Sequence, residues 1–366
     1  MNTIKLPRIA VYVFALMFLV LVYFIMKTLS FYLIPATLAG LLAMLMLPLN
    51  RKLESWRIPR LLAIIISLLI ILAIISGIIT IISTQVLKFA KDLPTIQQQL
   101  TGKFQEFQQF IQKATGITAE NQMNFIDKEV ASIISSADQW ATGILVATGG
   151  TLAGLGLLII HFIFILIYRS RIKLFVLGLV PERNHEKAKE VMVQITQVTR
   201  QYLIGVVTVM AILSVLNSVG LMALGIQNAI FFGVLAAILN IIPYIGVWIG
   251  SGLPLLLALI TKDSLFYPIG VIAVFLITQF IDNNFLTPRI TGSQVQINAL
   301  ATIGVILVGN LVWGVIGMVL FIPLLGMAKI LFDNVDELKP FGQLIGEDEK
   351  VKKKKFAGKI ILRRNA

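Results

Sequence analysis

Residues 61–87, LLAIIISLLIILAIISGIITIISTQVL, run for 27 positions without a charged side chain. A bilayer core about 30 Å thick takes about 20 helical residues to cross, so a run of this length is written for hydrocarbon. Seven further apolar runs occupy 9–26, 30–49, 141–168, 201–224, 229–260, 265–286 and 299–332. In lipid a backbone must satisfy its own polar groups, and runs this long do so as helices. The expected fold class is therefore an all-α polytopic membrane protein with about eight membrane segments. Composition agrees: 57% of the residues are hydrophobic and 13% charged, more apolar surface than a soluble domain buries. The run at 9–26 lacks a small-residue cleavage site and flows almost directly into the next, so it reads as a retained span.

Several chemistries are excluded. The chain has no cysteine, which removes disulfides, thiolate metal sites and cysteine nucleophiles together. His161 stands alone in an apolar run, where an interhelical hydrogen-bonded contact or a proton relay is open to it; His185 lies in a charged loop and reads as solvated. Paired catalytic carboxylates, zinc-type histidine spacing and a phosphate-binding loop with its lysine are all missing from the sequence. No enzyme activity, no cofactor and no metal centre is expected.

The net charge of +13 raises the question of nucleic acid. The basic residues, however, gather where spans end: NRKLESWRIPR (50–60), the segment 169–190, and the tail EKVKKKKFAGKIILRRNA (349–366). That is the pattern of an orientation signal rather than a polyanion-binding surface. By the positive-inside tendency these segments are cytoplasmic, which puts both termini inside a bacterial cytoplasmic (inner) membrane. The tail is either purely topogenic or a partner for anionic membrane lipid.

The chain divides accordingly. Residues 1–87 hold three spans, and 88–140 form a polar stretch with five lysines and six acidic residues, whose lack of positive excess fits the outside. Within it Leu93, Ile96, Leu100, Phe104, Phe107 and Ile111 recur at helical spacing, with the sequence Asp92-Leu93-Pro94 as a plausible helix start. That stripe rests on another part of the protein, a second subunit or the membrane surface. Residues 141–168 are a fourth span, 169–200 a cytoplasmic amphipathic segment joined to the fifth, 201–332 a transport core, and 333–366 a basic tail.

The core repeats itself. YLIGVVTVMAILSVLNSVGL (202–221) aligns with YPIGVIAVFLITQFIDNNFL (267–286) at seven of twenty positions, with Asn217 opposite Asp282. Each copy is followed by a long interrupted run, giving possible repeats at 202–260 and 267–330. The first run carries Asn240, Pro243, Gly246, Gly250, Gly252 and Pro254; the second carries Gly304, Gly309, Asn310, Gly314, Gly317 and Pro323. A 32-residue helix would reach about 48 Å, well past the hydrocarbon. Both runs are expected to break, as re-entrant hairpins or as broken single spans.

Asp282 is the focus of the polar chemistry. Thr278, Gln279, Asp282 and Asn283 share one helical face by their spacing. An intramembrane carboxylate costs about 2.5–3.5 kcal/mol on insertion scales and is tolerated mainly where it faces a cavity or partner. One reading is a cation or proton site. The other is a wet helix end, because Pro288 disfavours helical geometry at Thr287 and offers Arg289 as a salt-bridge partner. The substrate- or ion-binding candidates are Asp282, Asn283, Asn284, Gln279, Asn240, Tyr244, Pro243, Gly246, Pro288 and Asn310. For the 239–254 segment, helix packing through small residues stands beside a binding role.

These motifs resemble the autoinducer-2 exporter, or perM-like permease, family of bacterial membrane proteins. The carriers are IIPYIGVWIG (241–250), FIDNNFLTPRITG (280–292) and GNLVWGVIGMVLFIPLLGMAKIL (309–331), in that order. Val247 stands where the family has proline, and Asp282 where it has glutamate. The resemblance implies a multi-pass secondary transporter that forms homo-oligomers. Some family members are associated with export of a furanone-like signal and others with sodium or lithium exchange for protons. The partners implied are a small polar solute, H+ or Na+, and lipid, and not nucleic acid; a membrane scaffold is the rival from another class.

Overall fold

The computed structural model describes residues 8–115, 153–242, 245–290 and 297–347. All regular elements among them are helices: α1 (Arg8–Thr28), α2 (Ser30–Ser55), α3 (Arg60–Thr115), α4 (Ala153–Ile167), α5 (Arg169–Gly178), α6 (His185–Ala223), α7 (Ala229–Leu239), α8 (Ile245–Thr261), α9 (Phe266–Ile290), α10 (Ala299–Asn334) and α11 (Lys339–Ile345). Among the described residues, five helices are long and apolar enough to cross a membrane: Ser30–Ser55, Arg60–Ile81, Glu182–Ala223, Phe266–Ile290 and Ala299–Asn334. A sixth is reached if α4 and α5, bent by 67° at Tyr168, count as one span.

That is fewer than the eight expected, for physical reasons. The run 229–260 divides into α7 and α8, of 11 and 17 residues, and the apolar part of α1, Val13–Thr28, is also short. The expectation of a helix opening at Pro94 is corrected too, since α3 continues for 56 residues through that position. Proline's fixed φ is helical, and beyond the apolar run at 61–87 its unmet acceptor has water available. At 1.5 Å per residue α3 extends about 84 Å.

The chain forms two compact units. One comprises Met1–Leu68, Ala153–Leu203 and Gln294–Ala366; the other comprises Leu69–Leu152 and Ile204–Ser293. In the first, Leu41 of α2 packs with Val312, Trp313, Leu320 and Phe321 of α10. Asn50 of α2, fully buried, donates to Ser67 Oγ of α3 at 2.8 Å, and Arg169 pairs with Glu54. His161 makes its hydrogen-bonding contact within α4, to Leu157 O at 2.6 Å, and its interhelical contact is aromatic, edge-on to Tyr32. His185 lies 3.0 Å from Val180 O.

α10 is a helical hairpin. Trp313 (φ −127°) and Gly314 (φ 62°, ψ −144°) leave helical geometry, and the second combination is open essentially to glycine alone. The arms 299–312 and 315–334 then fold back on each other. In a straight helix Gly309 and Gly317 would stand about 12 Å apart; here a Cβ on Gly309 would lie 2.5 Å from Gly317 O. Trp313 secures the turn by donating from Nε1 to Met26 O of α1 at 3.0 Å. At the base, Asn298 caps α10 by accepting from Ala301 N–H and donates to Leu344 O and Gly346 O, tying α11 to the hairpin.

The second unit contains the other hairpin. Gly225 (φ 62°) ends α6 in a Schellman motif: its N–H bonds Met222 O and that of Ile226 bonds Leu221 O. Ile226 and Leu221 enter one core with Phe232, Ala236, Leu257, Ala258, Val271 and Phe275 from α7, α8 and α9. α7 and α8 lie antiparallel, so close that a Cβ on Gly246 would overlap the carbonyl of Leu239 and one on Gly250 would lie 2.7 Å from Ala236 Cα. Lys103 of α3 pairs with Asp263, between α8 and α9, at 2.6 Å.

Two outcomes follow from this packing. Gly317→Leu, which forces a side chain into the Gly309 backbone, is expected to destabilise the protein by at least about 1–3 kcal/mol, whereas Gly304→Ala, with open space around it, leaves thermal stability in detergent within error or slightly raised. The hydrogen bond from Lys103 holds the Asp263 carboxyl below its usual range. The contact is therefore fully present above the ordinary carboxylate pKa and lost as pH falls through the lowered value. Spin labels on cysteines introduced near 103 and 263 should report separation only on that acid side.

Candidate functional site

Asp282 lies on α9 where the helix changes its hydrogen bonding. Residues Asp282–Leu286 form a wide π-type turn, with Thr287 N–H bonded to Asp282 O. Pro288 explains the change: in a regular α-helix its ring would press on the carbonyl of Asn284 and leave that acceptor without a donor. One extra residue in the turn relieves both problems, and such turns recur at functional positions. α9 consequently runs through Thr287 (φ −57°, ψ −46°) and Pro288 to Ile290. The expectation that proline would push Thr287 out of helical geometry is overturned.

The wide turn divides the polar face read from the sequence. Thr278 and Asp282 point into the protein, and Asp282 is only 4% exposed. Gln279 instead donates to Asn283 Oδ1 at 3.0 Å, and the exposed Asn284 donates to Phe280 O of its own helix. Pro288 is exposed, and Arg289 lies over the Phe285 ring at 5.7 Å rather than against Asp282.

Both carboxylate oxygens of Asp282 are engaged by neutral donors. Thr287 Oγ1 donates to Oδ1 at 2.7 Å, and Asn240 Nδ2 donates to Oδ2 at 3.0 Å. Asn240 is held at the break of the first hairpin, where its own N–H completes the last turn of α7 by donating to Ala236 O at 2.9 Å. Gly246 lets α8 return directly over that break. The site thus joins the hairpin break to the wide turn of α9. Pro243 and Tyr244 fall outside the described residues. Asn310 is exposed on the first arm of α10, in the other compact unit.

Hydrogen bonds to a charged group are worth about 1.5–3 kcal/mol each, yet neutral donors leave the charge itself in place. The two hydrogen bonds orient the carboxyl group without pairing it with an opposite charge. Thr287 was missed as a donor because the proline argument placed it outside the helix. Its side chain became legible only once the turn was seen to widen.

The pair Asn240–Asp282 is expected to be energetically coupled. Asn240→Leu should cost about 1–3 kcal/mol by stranding a buried acceptor, and less when Asp282 is already asparagine; chemical or thermal unfolding of the four-member mutant cycle reads the coupling. Equal costs in both backgrounds would mean the contact is not maintained.

The sequence pattern described as "AI-2E family transporter" matches residues 12–337. "Putative transport protein YueF" of Bacillus subtilis (strain 168) is 25% identical over 323 residues, covering 83% of this chain and 84% of that protein. "AI-2 transport protein TqsA" of Escherichia coli (strain K12) is 22% identical over 308 residues, covering 82% and 85%. With its all-helical, multi-span structure and a family match over nearly its whole length, the chain belongs to the AI-2E transporter family.

Proposed function

We propose that this protein is a secondary transporter that moves a small polar organic solute out of the cell by alternating access, with Asp282 coupling that movement to protons or sodium. The observation that carries the reading is a buried carboxylate whose hydrogen-bond partners, Asn240 and Thr287, are neutral and sit at two departures from regular helix. Irregular backbone at membrane depth survives where it is buried in protein or lines a water-filled cavity. The two hairpins, α7–α8 and α10, act as re-entrant elements at the bilayer midplane, as broken helices do in other transporters. The name of TqsA, a relative along most of both chains, supports an organic signal-type solute.

The remaining features fit this reading. Basic residues flanking the spans support a topology with both termini on the cytoplasmic side of the inner membrane. The protein works as a homo-oligomer in contact with lipid, binds no nucleic acid and catalyses no covalent chemistry. The candidate residues Asn283, Asn284, Gln279, Gly246 and Pro288 shape the approach to Asp282, with Pro243 and Tyr244 assigned to the solute path. A second reading, sodium or lithium exchange for protons without an organic solute, is favoured by the same neutral partners, which leave the carboxylate free to trade one cation for another.

Proteoliposomes carrying a pH dye separate the two. Sodium or lithium pulses that shift internal pH with wild type, and at least about tenfold less with Asp282→Asn, support cation exchange. Uptake of a polar furanone-type solute into inverted vesicles, equally dependent on Asp282, supports export. Equal fluxes in wild type and Asp282→Asn would remove the carboxylate from the mechanism.

A further inference from the structure

Asn217 of α6 is buried at 5% exposure, and its Oδ1 has no hydrogen-bond partner among the described residues. Leaving such an acceptor unmet costs about 1–3 kcal/mol, a penalty an apolar side chain would avoid. The oxygen is placed by packing. A Cβ on Gly220 would meet Val274 of α9, and one on Gly270 of α9 would lie 2.7 Å from Leu224 of α6. The two contacts fix an antiparallel register in which position 217 is level with 277. Thr278 is therefore at the height of Asn217, one helical turn before Asp282 on the same face of α9.

The surroundings are otherwise apolar, yet polar residues gather at this level. Ser218 and Thr278 are both buried, and the backbone of Ser218 would lie 2.5 Å from a Cβ on Gly233 of α7. Thr278 donates its hydroxyl proton to Phe275 O, which turns the lone pairs of its oxygen outward from that bond. About 7 Å of helix rise separates this level from Asp282. Asn217 is also the residue that the internal repeat sets opposite Asp282.

From these oxygens we infer a second subsite, at Asn217 and Thr278, that holds a small monovalent cation on its way to or from Asp282. The inference rests on the reading of Asp282 as the coupling carboxylate. Neutral carbonyl and hydroxyl oxygens are ligands for hard cations, and one nearby carboxylate balances one positive charge rather than two. The subsite gives the cation a resting place while Asp282 is engaged by Asn240 and Thr287.

Equilibrium binding of radiolabelled sodium to the purified full-length protein in detergent tests this, with lithium and choline as competitors. Wild type is expected to bind saturably, with competition by lithium and none by choline. Asn217→Leu should raise the half-saturating sodium concentration by about tenfold or more, and Asn217→Asp should lower it. Asn217→Leu should also melt no lower than wild type in sodium-free buffer, which shows that it folds, and lose the extra stability that sodium gives wild type. If Asn217→Leu binds sodium as wild type does while Asp282→Asn does not, the subsite is refuted and the role of Asp282 stands. If Asp282→Asn still binds and Asn217→Leu does not, the subsite stands and the coupling role of Asp282 falls. Absence of saturable sodium binding in wild type overturns the subsite, leaving Asp282-dependent proton or solute flux to decide the proposed function.

Discussion

A helix that breaks inside an apolar protein must hand its loose backbone groups to a specific partner, and this fold is organised around two such breaks. At Trp313–Gly314 the chain turns through a conformation reserved for glycine, and the indole N–H is spent on the Met26 carbonyl. At Asn240 the backbone completes α7 while the side chain reaches α9. Both turns then close by backbone approaching backbone, Gly309 on Gly317 and Leu239 on Gly246, where any side chain would wedge the arms apart. Polar satisfaction and close packing are met by the same few residues.

The carboxylate at Asp282 inherits its setting from that arrangement. Pro288 widens the turn, the wide turn brings Thr287 round to Oδ1, and the hairpin break supplies Asn240 to Oδ2. Both donors are uncharged, so the hydrogen bonds order the carboxyl group without adding an opposite charge. Shortening glutamate to aspartate, the departure visible in the motif, places the carboxylate close to its own helix, where a threonine five residues on can reach it.

Much of this was legible in the sequence. Run lengths specified helices and membrane, and the glycine and proline content of 229–260 and 299–332 marked both runs as interrupted. Composition could not say how they break, because α10 keeps helical dihedrals almost to its turn and folds back at two residues. The span count came out high for a related reason: apolar length alone does not distinguish one crossing from two short antiparallel arms. Proline was misread twice. Pro94 suits a first turn but sits within a continuous helix; Pro288 widens one, since the rule applied to Thr287 ignores the possibility of absorbing the clash elsewhere in the turn. The burial of Asn217 had a trace in the repeat alignment, but its unmet oxygen is a fact of packing.

The length of α3 has a consequence for how the chain leaves the membrane. At 1.5 Å per residue its 56 residues amount to about 84 Å of helix, and the uncharged run at 61–87 takes up about 40 Å of that. From Lys88 onward the same continuous helix carries charged side chains, so the chain passes from an apolar to a polar solvent with no turn at the boundary, where its backbone groups would need new partners.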